Sequence, residues 1–259
     1  MKKIILSIVA VLAVMVSAGA QEAMTKQNYS AKDFTSLSIS HAFEVQLVKG
    51  DTFRVTLEYP ADCAQYISVA KQKATLFIGL KNKTPRKWMN GKHDFRAIVQ
   101  MPEVYGIYLS GAVKLTSDDQ FLMNMRPFEA HLSGASKIIS LSVDGPSVDI
   151  ELSGASRAEI NVNAGEVEAD VSGASKLTLT GTVTDLKIDA SGASSVNAKN
   201  VNAVNVDLDG SGASKLYVFV QKELKVDLSG ASRCEYIGPD EIVLKSIDVT
   251  GASSLKKVQ

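Results

Sequence analysis

A short phrase built on Ser-Gly-Ala recurs along this chain, and it limits what the chain can fold into. It reads "LSGAVK" at 109–114, "LSGASK" at 132–137, "LSGASR" at 152–157 and "VSGASK" at 171–176. It returns as "ASGASS" at 190–195, "GSGASK" at 210–215, "LSGASR" at 228–233 and "VTGASS" at 249–254. The glycines, Gly111, Gly134, Gly154, Gly173, Gly192, Gly212, Gly230 and Gly251, stand 23, 20, 19, 19, 20, 18 and 21 residues apart. A fixed period near twenty marks a solenoid, in which each repeat buries its face against its neighbours.

With each glycine taken as position 0, positions −2, −4 and −6 are mostly apolar, as in Val148, Ile150 and Leu152 or Leu224, Val226 and Leu228. Positions +4 and +6 are apolar too, as in Leu177 and Leu179. A period of two is that of a strand with one buried face. No stretch inside the repeat has a helical period, which disfavours a leucine-rich repeat, and twenty residues are too few for a propeller blade. At ~3.3 Å per residue the repeat has a contour of ~66 Å, which closes as one three-sided coil, and eight coils stacked ~4.8 Å apart rise roughly 38 Å. The expected fold is therefore an all-β, single-stranded parallel β-helix.

The Gly-Ala-Ser phrase reads as a corner. Glycine permits φ > 0, and small residues can stack on their copies above and below. Stacked hydroxyls can hydrogen-bond along the axis. Strict alternation turns Gly and the second Ser inward; a bend at Gly turns Ala inward instead. Two charged columns flank the corner. Position −3 carries Glu151, Asp170, Asp189, Asp209, Asp227 and Asp248, and position +3 carries Lys114, Lys137, Arg157, Lys176, Lys215 and Arg233. The simplest expectation is a solvated ladder of ion pairs, each worth ~0–1 kcal/mol. His131, also at −3, reads as an ordinary outward side chain.

Residues 1–20 read as an export signal. Lys2 and Lys3 precede the apolar "IILSIVAVLAVMV" (4–16), and "SAGA" (17–20) offers small residues for cleavage. The apolar run is short for a spanning helix, which needs ~20 residues, and no later segment is apolar enough to span. A mature chain starting near Gln21 would hold 239 of the 259 residues. Without Lys2 and Lys3 it keeps 26 basic and 28 acidic side chains, so nothing in its net charge attracts nucleic acid. An exported protein can join its two cysteines, but Cys63 and Cys234 read better as buried thiols. Cys234 stands at +4, where other coils place Leu177, Val196 and Leu216.

Residues 21–100 lack the phrase but are strand-rich, and they read as a cap on the β-helix of residues 101–259. "FEVQLVKGDTFRVTLEY" (43–59) alternates on both sides of a hairpin-like turn at Lys49-Gly50-Asp51, and "ISVAKQKATLFIGLK" (67–81) does so around Lys71-Gln72-Lys73. The loop "KNKTPRKWMNGKHDFR" (81–96) is basic and carries the only Trp. Its Arg86, Lys87, Trp88 and Lys92 are the candidate binding residues for an anionic ligand or a glycan. The alternative is a solvated loop whose Trp88 folds back on the coil edge.

No residue set points to a reaction, a cofactor or a bound metal. His41, His93 and His131 lack metal-ligand spacing, and "GASR" is not a nucleophile elbow. The aspartate column offers oxygen ligands for weak Ca²⁺ binding, but the basic column competes for the same carboxylates.

The "FTSLSISHAFEVQLVKGD" opening (34–51), the "MPEVYGIYLSGAVKL" passage (101–115) and the serial "SGAS" phrases resemble the auto-transporter adhesin family with the head GIN domain. The likeness covers about residues 30–255. The resemblance implies an exported, right-handed single-stranded β-helix and, by the family's name, an adhesin-like role; it supplies no catalytic residues. The expected function is a non-catalytic binding or structural protein of the periplasm, outer surface or extracellular space, contacting glycans or envelope proteins. The alternative is a polysaccharide-acting enzyme on the same scaffold, which rests on analogy of fold alone. A third reading is an envelope component that assembles through coil edges.

Overall fold

The computed structural model describes residues 6–7, 10–14, 23–90 and 94–259. Most of the expected export signal, and Lys92, lie outside these residues. The chain is a β-solenoid of about 8 turns with coils about 20 residues apart, 66% strand and 4% helix. The strands Lys137–Leu152, Arg157–Val171, Lys176–Ala190, Ser195–Gly210 and Lys215–Leu228 each form most of a coil. Each pairs in parallel with the next. Along Arg157–Val171, the buried residues are Ala158, Ile160, Val162, Val167, Ala169 and Val171; Glu159, Asn161, Glu166 and Asp170 between them are exposed. The coils differ in length, and register shifts absorb the difference at +4 and beyond or at −6 to −5. The corner itself keeps its register.

Two constraints fix glycine at the corner. All eight corner glycines have φ between 70° and 86°, a region that side chains with a Cβ rarely adopt. Each also stacks on the corner below, so that a Cβ on Gly173 would lie 2.6 Å from the Gly154 carbonyl oxygen. The alanine that follows donates its N–H to the glycine carbonyl one coil below, as Ala174 does to Gly154 at 2.7 Å. Of the two residues that strict alternation would bury, the second serine turns inward, with Ser136, Ser156, Ser175, Ser194, Ser214 and Ser232 all buried, while the corner glycine, like the alanine after it, stays exposed.

Those hydroxyls do not chain along the axis as expected. Ser136, Ser156 and Ser232 donate to the carbonyl of the first serine in their own corner, at 2.9, 2.7 and 2.8 Å. That acceptor is only three residues back and reachable by a local turn. Ser214 to Ser232, at 3.1 Å, is the one axial bond between two serine hydroxyls among the described hydrogen bonds, while Ser175 donates to the Gly154 carbonyl one coil below at 3.5 Å. Ser194 Oγ is buried without a partner.

The stacking continues upstream of the first Ser-Gly-Ala phrase. Ser36–Ile39 pairs in parallel with Gly106–Leu109, and Phe43–Lys49 with Lys114–Leu122. Between them His41 occupies the corner with φ 75°, and Ala112 donates to its carbonyl as later alanines do to glycine. Beneath it lie Gly79, where a Cβ would meet the Ser40 hydroxyl and the His41 ring, and Leu80, whose N–H donates to His41 Nδ1 at 3.4 Å. The next level down is built from Thr75–Leu80 and Phe95–Met101, whose connection is the basic loop instead of a tight turn.

The expected hairpin over 43–59 does not form. Phe95–Met101 lies between its two halves, parallel to Phe43–Lys49 and antiparallel to Arg54–Pro60. Alternation reports which face is buried, not which strand is adjacent. The hairpin over 67–81 does form, from Ile67–Gln72 and Thr75–Leu80, with Lys73 in the left-handed region at the turn. Cys63 and Cys234 are free and fully buried. Burial pushes their thiols up to about 11 and about 12.

Candidate functional site

Strand register turns position −3 into a continuous outward column. Tyr108 pairs with His131, His131 with Glu151, Glu151 with Asp170, and the column runs on through Asp189, Asp209 and Asp227 to Asp248. Neighbouring carboxylates in such a column stand about one strand spacing apart, ~4.8 Å. Desolvation against the coil surface, partial even for the exposed Asp170 and Asp209, raises the pKa of Asp149, Asp170 and Asp209, and the charges of their acidic neighbours add to it.

The basic column at +3 does not neutralise the acidic one. None of the described ion pairs joins the two. The corner bend lies between them, so their side chains leave the solenoid in different directions. The carboxylates instead find lysines on their own face. Lys187 bridges Glu168 at 2.5 Å and Asp189 at 3.3 Å, and Lys225 bonds Asp207 at 2.9 Å. Positions −3 and +3 are thus columns of opposite sign on either side of the corner, the second made of Lys137, Arg157, Lys176, Lys215 and Arg233.

At its upstream end the −3 column changes character. Tyr108 and His131 stand where the later coils place carboxylates, with ring centroids 5.2 Å apart and planes tilted by 41°. The Tyr108 ring lies over Gly106, where a Cβ would meet it at 2.9 Å. Its hydroxyl donates to Glu129 at 2.6 Å. Burial, helped by this bond, pushes the phenol up to about 12. His131 Nδ1 lies 2.7 Å from a Glu151 carboxylate oxygen. Beside this network runs a groove of about 380 Å³. It is lined by Tyr108, His131, Glu151 and Asp170 of the column and by the first serines of four corners, Ser110, Ser133, Ser153 and Ser172.

Chemically the groove offers two ring faces, two carboxylates and a row of hydroxyls, a set that suits a ligand with many hydroxyl groups and apolar ring edges. His131, Asp149 and Glu151 also bring one ligand atom each within 4.8 Å of one another, but the shortest of these contacts is the His131–Glu151 pair itself. The only sequence signal for the groove is the departure of Tyr108 and His131 from an otherwise acidic column. Treating His131 as an ordinary outward residue misses it.

The loop proposed from sequence lies elsewhere. Arg86–Asn90 forms one helical turn. Trp88 is turned inward and only 4% exposed, while Arg86, Lys87 and Met89 face solvent. The Lys87 ammonium sits 4.7 Å from the Trp88 ring centroid. The structure therefore keeps Arg86, Lys87 and Trp88 together at the level beneath His41 and presents the loop's cationic side rather than its indole.

A family model described as "Putative auto-transporter adhesin, head GIN domain" matches residues 33–239. No curated protein matches the chain. Among solved structures, a putative adhesin from Parabacteroides distasonis has a TM-score of 0.80 at 14% identity, over 91% of this chain and 97% of that one. A putative lipid binding protein from the same organism has a TM-score of 0.78 at 14% identity, over 91% and 97%. A putative adhesin from Parabacteroides merdae has a TM-score of 0.77 at 14% identity, over 95% and 100%. At these identities the likeness is one of fold.

Proposed function

Since this chain belongs to the auto-transporter adhesin, head GIN domain family, we propose that it is an exported, non-catalytic adhesin that binds glycans in the Tyr108–His131 groove. The observation that carries this reading is the break in the −3 column. Further along the −3 column the coils repeat one another; here two rings interrupt the carboxylates beside a hydroxyl-lined groove. The rings offer apolar surface, Glu151 and Asp170 accept hydrogen bonds from sugar hydroxyls, and Ser133, Ser153 and Ser172, whose own hydroxyls donate to the Leu109, Leu132 and Leu152 carbonyls, accept them as well. Export is supported by the charged, apolar and small-residue order of residues 1–20. Among the described residues no helix is long and apolar enough to cross a membrane.

The test is retention of the purified protein on neutral and acidic oligosaccharides, with the supernatant assayed for released fragments. Neutral glycans should be retained, Tyr108→Ala should abolish retention, and no fragments should appear. Fragment release would replace this reading with a polysaccharide-acting enzyme. Retention of acidic glycans only, lost on replacing Arg86 and Lys87 but not Tyr108, would move the site to the basic loop.

A further inference from the structure

The two ends of the solenoid are finished differently. At the upstream end, Thr75–Leu80 and Phe95–Met101 are covered by the antiparallel strands Ile67–Gln72 and Arg54–Pro60. At the downstream end nothing comparable is present among the described residues. Val243–Val249 pairs only with Lys215–Leu228, and Ser254–Lys257 only with Arg233–Ile237. Leu244, Ile247 and Val249 are 49%, 41% and 37% exposed, whereas their partners one coil earlier, Leu224, Val226 and Leu228, are at most 1% exposed. An apolar strand edge with free backbone groups is a template for pairing, and solenoid ends normally carry a polar cap.

We propose that this end is covered by the same end of a second copy, related by a two-fold axis through the Gly251 corner. A rotation about that axis sets the strand before one corner, Val243–Val249, antiparallel to the strand after the other, Ser254–Lys257. Residues at −n then face residues at +n. The faces match, because even positions point inward on both strands: Ile247 meets Leu255 of the second copy, and Val249 meets Ser253 of the second copy. The charges match as well. Asp248 lies opposite Ser254 and diagonal to Lys256 of the second copy, within reach of a long side chain. The acidic column of each copy, ending in Asp227 and Asp248, continues into the other's basic column through Arg233 and Lys215.

Like-with-like stacking, Val243–Val249 on its own copy, would instead run acidic column onto acidic column. Charge complementarity therefore selects a second copy joined with the strand before its corner against the strand after the other. The resulting contact is isologous and closed, so it stops at a dimer rather than growing a fibre. It leaves the Tyr108 groove uncovered near the other end of the stack, so its failure and the failure of the glycan reading are separable.

The test is sedimentation velocity of the purified protein across a concentration series. A dimer is expected. Ile247→Asp should halve the mass while leaving circular dichroism unchanged, since Ile247 is already exposed in the single chain. Asp248→Lys should weaken dimerisation ~10-fold or more, and Asp248→Lys combined with Lys256→Asp should restore it. A monomer at every concentration overturns the proposal. So does a dimer indifferent to Ile247→Asp, or a charge swap that restores nothing.

Discussion

Substitutions at the corner separate the roles of its residues. Gly173 combines φ 71° with a Cβ position 2.6 Å from the Gly154 carbonyl. Valine there meets both the left-handed penalty, ~1–2 kcal/mol, and a backbone clash. Lys176, three residues on, is exposed. Gly173→Val should lower the melting temperature far more than Lys176→Ala, which should stay within ~0.5 kcal/mol; equal melting points would contradict the stacked corner. The serines make a finer test. Ser194→Ala removes a buried hydroxyl with no partner and should stabilise by ~1 kcal/mol. Ser156→Ala removes the 2.7 Å bond to the Ser153 carbonyl and should destabilise by a similar amount. Calorimetry on the two variants should give melting shifts of opposite sign; the same sign would show that the hydroxyl contacts do not set these energies. The repeat made the corner legible, but not which small residue turns inward. That choice depends on how glycine at positive φ breaks the strand alternation, which composition does not record.

At the scale of the strand, register makes columns, and columns make electrostatics. Asp149, Asp170 and Asp209 have pKa values raised by burial and by their acidic neighbours. A carboxylate whose folded pKa is raised contributes stability that is fully present below its unfolded pKa of 3.8 and is lost as pH rises through the folded value. These three groups therefore favour folding as pH falls from neutral toward 3.8. Asp209→Asn should raise the melting temperature at pH 7 and flatten the melting profile over that acidic window. An unchanged profile would mean that the column is fully solvent-screened.

The columns themselves were readable from period-two alternation, and so was the Ile67–Gln72 to Thr75–Leu80 hairpin. The upstream coil was not, because "SHAF" replaces the signature with His41 at position 0 and Phe43 at +2. The corner bond nevertheless survives, since Ala112 donates to the His41 carbonyl as later alanines do to glycine. The insertion of Phe95–Met101 between Phe43–Lys49 and Arg54–Pro60 was equally hidden, since alternation carries no information about partners distant in sequence.

Over the whole molecule, an overall charge balance of 28 basic to 28 acidic side chains conceals a surface divided by sign at one edge. The division places an acidic column before the corner and a basic column after it. It also supplies the complementarity that would join two open ends. Most of the surface repeats from coil to coil, so a distinct binding place requires a break in the repeat, and the clearest break is at Tyr108 and His131. The most direct check is calorimetric titration of one retained neutral oligosaccharide against three proteins: the native chain, Tyr108→Ala and Asp227→Ala. Asp227 shares the column but lies in its uniform acidic part. Binding abolished by Tyr108→Ala and unchanged by Asp227→Ala is the predicted result; equal loss in both, or binding retained in Tyr108→Ala, would contradict a site at the break.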